Sequence, residues 1–136
     1  MRFSKLTSRL AFLLILLAYA SYCGAAESAL KITEMAVTTK IVRGNPIDSV
    51  RRISSSSVSA LYCFTRLAGS DVTDTLIKHV WYRNDEKTGE YELPVKGARW
   101  RTYSKKAIDK ASAGDWRVET LDSGGKLLKT VKFRIN

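Results

Sequence analysis

The side chains that could carry chemistry are few. His79 is the only histidine of the 136 residues, and Cys23 and Cys63 are the only cysteines. Metal sites built on imidazole or thiolate need several such ligands at short spacing, and none occurs here. There is no glycine-rich phosphate loop and no Gly-x-Ser-x-Gly turn. Asp71 and Asp74, with Thr73 and Thr75 beside them, supply too few oxygens for a calcium loop of their own. A hydrolase would have to be assembled around His79, with Asp74 or Ser104 as its partner. Cys63 lies in an apolar strand pattern and reads as a small core residue. No cofactor and no catalytic group is expected.

The richer constellation is basic and aromatic. In a strand, alternate side chains share a face. His79, Trp81 and Arg83 then share one face of their strand. Arg99, Arg101, Tyr103 and Lys105 share one face of another, and Trp100, Thr102 and Ser104 the opposite face. Two assignments compete. In the first, Trp81, Trp100 and Trp116 anchor the core, each burying about 150–250 Å². His79 then points inward and is satisfied by a hydroxyl such as that of Thr102 or Ser104. In the second, Val80 and Tyr82 point inward, and His79, Trp81 and Arg83 form an exposed platform beside the face of Arg99, Arg101, Tyr103 and Lys105; Trp100 is counted among the binding candidates. Flat aromatics beside cations suit sugar rings and acidic polymers.

These residues need strands to position them, and the apolar period is two from about residue 30 onward. Residues 31–42 are rich in β-branched types and predict a first strand. A serine-rich connection over 47–57 follows. Residues 58–67, 75–83, 90–96, 98–105, 115–121 and 126–135 read as further strands. Pro94 lacks a ladder donor, so 90–96 is placed at a sheet edge. Residues 84–89 read as a hairpin loop and 122–125 (Asp-Ser-Gly-Gly) as a hairpin turn. Residues 106–113 are the one stretch compatible with a short helix. Tyr62, Phe64, Trp116, Val118, Val131 and Phe133 are assigned to the core. About seven short strands with turns every eight to twelve residues predict an all-β chain. The form expected is a single antiparallel sandwich of immunoglobulin or fibronectin type.

Charge narrows the partners. Lysine plus arginine number 23 and aspartate plus glutamate 13, giving +10. Three of the basic residues (Arg2, Lys5, Arg9) and none of the acidic ones precede residue 27, which leaves +7 for the remainder. A small domain with that excess attracts polyanions, and plain solubility is the alternative explanation. Basic residues up to Arg9, an apolar run from Leu10 to Ala20 and small residues to Ala26 have the order of a secretory signal segment. Residues 1–26 are therefore expected to direct export to the periplasm or cell envelope. An uncleaved anchor, or a lipid on Cys23, is the alternative. Residues 27–57 would supply the first strand and linker, and 58–136 the main body of the domain.

Four segments carry a family likeness: LYCFTRLAG (61–69), HVWYR (79–83), VKGARWRTYSKKAI (95–108) and GDWRVETLDSGGKLLKTVKFRI (114–135). In this order they resemble the bacterial DUF2914 family, a domain of unknown function. The stretch HVWYRNDE also looks like the third strand of an immunoglobulin domain, whose tryptophan packs into the core. The family resemblance implies an exported or membrane-tethered β domain. It implies no activity and carries over no catalytic residue. The function expected is a non-enzymatic interaction module of the envelope. Its partner would be an acidic protein or an anionic envelope polymer. Nucleic acid is not expected, and a membrane only through an uncleaved leader. The runner-up is an exported hydrolase centred on His79.

Overall fold

The computed structural model describes residues 29–70 and 74–136. The expected signal segment, residues 1–26, and residues 71–73 of the acidic loop lie outside the described residues. Seven long strands carry the fold: β1 (Leu30–Thr38), β5 (Ala60–Gly69), β6 (Thr75–Arg83), β7 (Glu86–Val95), β8 (Arg99–Ala107), β9 (Gly114–Asp122) and β10 (Leu127–Ile135). Three two-residue strands accompany them: β2 (Ile41–Val42), β3 (Asn45–Pro46) and β4 (Arg52–Ile53). One sheet has the order β1-β5-β8 and the other β4-β10-β9-β6-β7. Every pairing is antiparallel except β4 with β10. The expected antiparallel sandwich is what the chain forms.

Several local expectations shift for identifiable reasons. The first strand breaks after Thr38, because Arg43 and Gly44 take left-handed backbone angles (φ 52° and 75°) and fold β2 onto β3 as a hairpin. The loop at 84–89 is tighter than expected. Asn84 and Asp85 both have positive φ, 47° and 65°, as a two-residue hairpin turn requires. β7 therefore starts at Glu86, and it does lie at a sheet edge. Residues 106–113 form no regular helix: β8 runs to Ala107, and a single 3-10 turn spans Lys110–Ser112. Asp109 caps that turn, its carboxylate accepting from the Ala111 N–H.

The interior holds two apolar clusters. The larger gathers Met35, Val37, Leu61, Cys63, Trp81, Ile108, Trp116, Val118, Phe133 and Ile135. Trp81 meets Trp116 and Phe133 edge-on, at centroid distances of 6.4 and 6.2 Å, and Trp116 stacks on Phe133 at 5.9 Å. The smaller gathers Leu30, Leu67, Ile77 and Val95, with Trp100 half-buried against it. Between them runs a polar belt of buried residues: Thr65 on β5, His79 on β6, Ser104 on β8 and Thr120 on β9.

Of the residues assigned to the core, Trp116, Val118 and Phe133 are buried and Val131 is half-buried. Tyr62 is a correction. Leu61, Cys63, Thr65 and Leu67 face the interior, so Tyr62 and Phe64 point outward, and Tyr62 is only half-buried. Both faces of β5 are apolar, so alternation alone does not tell inside from outside. Phe64 is fully buried even so, with the Arg66 guanidinium over its ring at 5.8 Å.

Candidate functional site

The belt explains His79. Its Nε2 lies 2.8 Å from Thr65 Oγ1 and its Nδ1 2.7 Å from Ser104 Oγ. Trp81 Nε1 donates to the same Ser104 oxygen at 3.0 Å. One neutral tautomer satisfies every partner: Ser104 accepts from the indole and donates to His79 Nδ1, and Nε2–H donates to Thr65. Burial drives the imidazole pKa down to about 4, so the ring is neutral at neutral pH. His79 and Trp81 have no solvent exposure. They therefore cannot contribute to an exposed binding face, which corrects the second of the two assignments. Arg83 does not join that face either: it lies on β6 of the other sheet, and its Nε donates to the Ala113 carbonyl at 2.7 Å.

A hydrolase centred on His79 also lacks support. The Ser104–His79 hydrogen bond is present, but it is sealed from water. Both ring nitrogens are occupied by hydroxyls, and no described carboxylate orients the imidazole. Asp74 is exposed. Cys63 is fully buried, and burial pushes its thiol pKa up, so it is no thiolate. Among the described residues no group of His, Cys, Asp and Glu could hold a metal ion.

The exposed chemistry lies on the outward face of the three-stranded sheet. Register sets three rows across β1, β5 and β8: Glu34–Arg66–Arg101, Ala36–Phe64–Tyr103 and Thr38–Tyr62–Lys105. Arg99 extends the face beside Ala68. Arg99, Arg101, Tyr103 and Lys105 are all exposed. Tyr103 meets Tyr62 edge-on at 5.8 Å, and Lys105 Nζ sits 5.9 Å from the centre of the Tyr62 ring. At the upper end Arg66, Arg99 and Arg101 line an open groove of about 610 Å³ with Thr33, Leu67, Ala68 and Trp100. Trp100 thus serves both as the rim of the smaller cluster and as a wall of the groove.

The two outward faces differ in electrostatics. On the five-stranded sheet, cations and anions alternate and pair: Arg134 with Asp115, Arg117 with Asp85 and Glu119, Lys78 with Glu90 and Glu92, and Lys87 with Glu90. Arg117 also lies over the Tyr82 ring at 4.0 Å. On the three-stranded sheet the ion pair among the described residues is Arg66–Glu34, at 3.5 Å. No described carboxylate lies within ion-pair distance of Arg99, Arg101 or Lys105. Arg99, Arg101 and Lys105 thus stand side by side on one face without a described carboxylate paired to them.

The second half of the sandwich, from the start of β6 to the end of β10, resembles a known family. Residues 74–135 match DUF2914, described as a protein of unknown function. The resemblance read from the sequence is borne out over that span. The LYCFTRLAG segment on β5 precedes the matched DUF2914 residues. No curated protein matches the chain. An immunoglobulin-like protein from Pseudomonas aeruginosa has the same fold, with a TM-score of 0.56 at 14% identity over 82% of this chain and 99% of that one. A Pseudomonas fluorescens alkylpurine DNA glycosylase, AlkC, solved with DNA containing an abasic site analog, gives 0.51 at 11% identity. That likeness covers 80% of this chain but only 31% of the glycosylase. At such identities the likeness concerns the fold alone. The DUF2914 segment supplies Arg99, Trp100 and Arg101, whereas Thr33 and Arg66 come from strands before it.

Arg66, Thr33 and Asn45 escaped the sequence reading. Arg66 did leave a signal: it is the one charged residue in the apolar run from Val58 to Ala68.

Proposed function

We propose that the chain is a non-enzymatic binding module that holds an anionic polymer on the outward face of its three-stranded sheet. The observation that carries this is the convergence of Arg66, Arg99 and Arg101 on one groove, while most cations of the other face pair with carboxylates beside them. Long-range attraction would steer the polymer to this face. Guanidinium groups would then engage its carboxylate, sulfate or phosphate groups in charge-assisted hydrogen bonds. The exposed Tyr103 ring and the Trp100 rim offer flat apolar surface for the sugar rings of an acidic glycan. A fold-level likeness to an immunoglobulin-like protein and a family of unknown function are both compatible with a module of this kind. The signal-like order of residues 1–26 supports export, so the proposed setting is the periplasm or envelope.

The test is binding to immobilised polygalacturonate, polyphosphate, polyglutamate and a single-stranded oligonucleotide across a salt series. The wild type should bind polygalacturonate or polyphosphate with an affinity that falls as salt rises, and an R99A/R101A/K105A variant should lose that binding. Equal binding by the two proteins overturns the proposal. Preference for polyglutamate would transfer the face to an acidic protein partner.

A further inference from the structure

The β2–β3 hairpin folds back onto the cationic face, and its tip makes an unusual contact there. Arg66 Nη2 and Arg101 Nη1 both donate to Asn45 Oδ1, at 3.1 and 3.0 Å. Arg66 and Arg101 are register partners on β5 and β8, so their guanidinium groups are held side by side. Two like charges on neighbouring strands repel, and cross-strand like pairs are destabilising. Here a single neutral amide oxygen sits where both cations point, and the nearby Glu34 reaches only Arg66. A carboxamide oxygen is a weaker partner for a guanidinium than an oxyanion. The orientation of Asn45 is fixed chemically, since only its oxygen can accept.

The hairpin is also short and exposed. β2 and β3 pair over two residues each, and Val42 and Ile47 are 41% and 56% exposed. Its base is anchored separately. Asp48 accepts from the Thr38 hydroxyl at 2.6 Å, the Thr39 N–H at 2.8 Å and the Thr39 hydroxyl at 2.6 Å. A lift of the tip would leave these contacts in place.

We propose that the Arg66–Arg101 pair is an oxyanion seat, that Asn45 Oδ1 fills it in the free protein, and that a carboxylate, sulfate or phosphate group of the ligand replaces Asn45 on binding. This rests on the reading of the three-stranded face as an anion-binding surface and specifies where on that face the ligand is gripped. Arg43, beside the tip, would add a further cation once the hairpin lifts.

The experiment compares wild type, N45D, N45A and K132Q for binding to polygalacturonate and to polyphosphate, with melting temperature as the folding control. K132Q lowers the net charge as N45D does, but on the five-stranded sheet. The built-in carboxylate of N45D should occupy the seat, hold or raise the melting temperature, and weaken binding at least about tenfold relative to K132Q. N45A should bind at least as tightly as wild type, since it removes the competitor. The two polymers separate a carboxylate ligand from a phosphate ligand. If N45D binds like K132Q, or N45A loses as much as N45D, the seat is refuted while the anionic face stands. If wild type binds neither polymer, both fall.

Discussion

Acidification should weaken the fold through His79, and the size of the effect follows from its surroundings. In the unfolded chain the imidazole titrates near its ordinary pKa of 6.5, and in the fold near 4. The folded state therefore binds the proton less well. Between these two values the unfolded chain carries up to one proton more, so stability rises with pH across the window. The contribution is complete above about pH 6.5, shrinks as pH drops toward 4, and is flat below. At about 1.4 kcal/mol per unit, the loss reaches about 3 kcal/mol. Carboxylates contribute at lower pH. For Asp48, burial raises the pKa, but hydrogen bonds from Thr38 and Thr39 outweigh it and lower it below the ordinary 3.8. Its contribution is present above that ordinary value and is lost only below it, outside the histidine window. Urea unfolding at half-unit steps from pH 4 to 7.5 should give a steeper slope in wild type than in H79Q, which keeps only the carboxylate part, such as that of Glu90, lowered from 4.5 by Lys87. Because the chain has one histidine, an NMR titration of the wild-type ring reads the same quantity even where H79Q folds poorly. A ring that titrates near 6.5, or an H79Q slope equal to that of wild type, refutes the reasoning.

Other substitutions test neighbouring parts of the structure. S104A strands both His79 Nδ1 and Trp81 Nε1 and should cost about 1–3 kcal/mol in urea unfolding, without moving the tryptophan cluster. W81A removes the ring that bridges Trp116 and Phe133 and should cost about 3–5 kcal/mol. Gly114 has φ +144°, and an added Cβ would lie 2.9 Å from the Asn84 side chain. G114A should therefore cost about 1–3 kcal/mol, seen as a lower melting temperature. Cys63, buried with its thiol pKa raised, should resist alkylation in the native protein and react in denaturant, as read by mass mapping of its peptide.

The strands were legible because the apolar residues alternate, and β9–β10 was clearest because Asp122-Ser123-Gly124-Gly125 marks its turn. Asp122 Oδ1 there accepts from the N–H groups of Gly124 and Lys126. What alternation could not decide was which side of β5 is inside. Tyr62 and Phe64 are as apolar as Leu61 and Cys63, and only the packing of the other sheet chooses. The same ambiguity governed His79 and Trp81. Their face carries a polar residue, which suggests solvent, yet hydroxyls on β5 and β8 satisfy it inside. The groove was half legible: Arg99 and Arg101 stand in one strand pattern. Thr33, Arg66 and Asn45 reach the same place through strand pairing and a hairpin, contacts separated by many residues in sequence.

The buried belt and the cationic face are opposite sides of the same strand. Ser104 points inward from β8 and is fixed by His79 and Trp81, while Tyr103 and Lys105 on either side of it point outward. A hydroxyl held between an imidazole and an indole ties β8 to β6 across the two sheets by directional contacts. An apolar side chain at position 104 would fill space without that directional constraint. Ordering long arginine and lysine side chains on a surface costs rotamer entropy, and a strand that also moved would add to that cost on binding. A polar belt in the middle of a core is a poor source of net stability. It is better accounted for by directional contacts, which tie β5 and β8 of one sheet to β6 of the other, while the β5–β8 pairing spaces the cations outside.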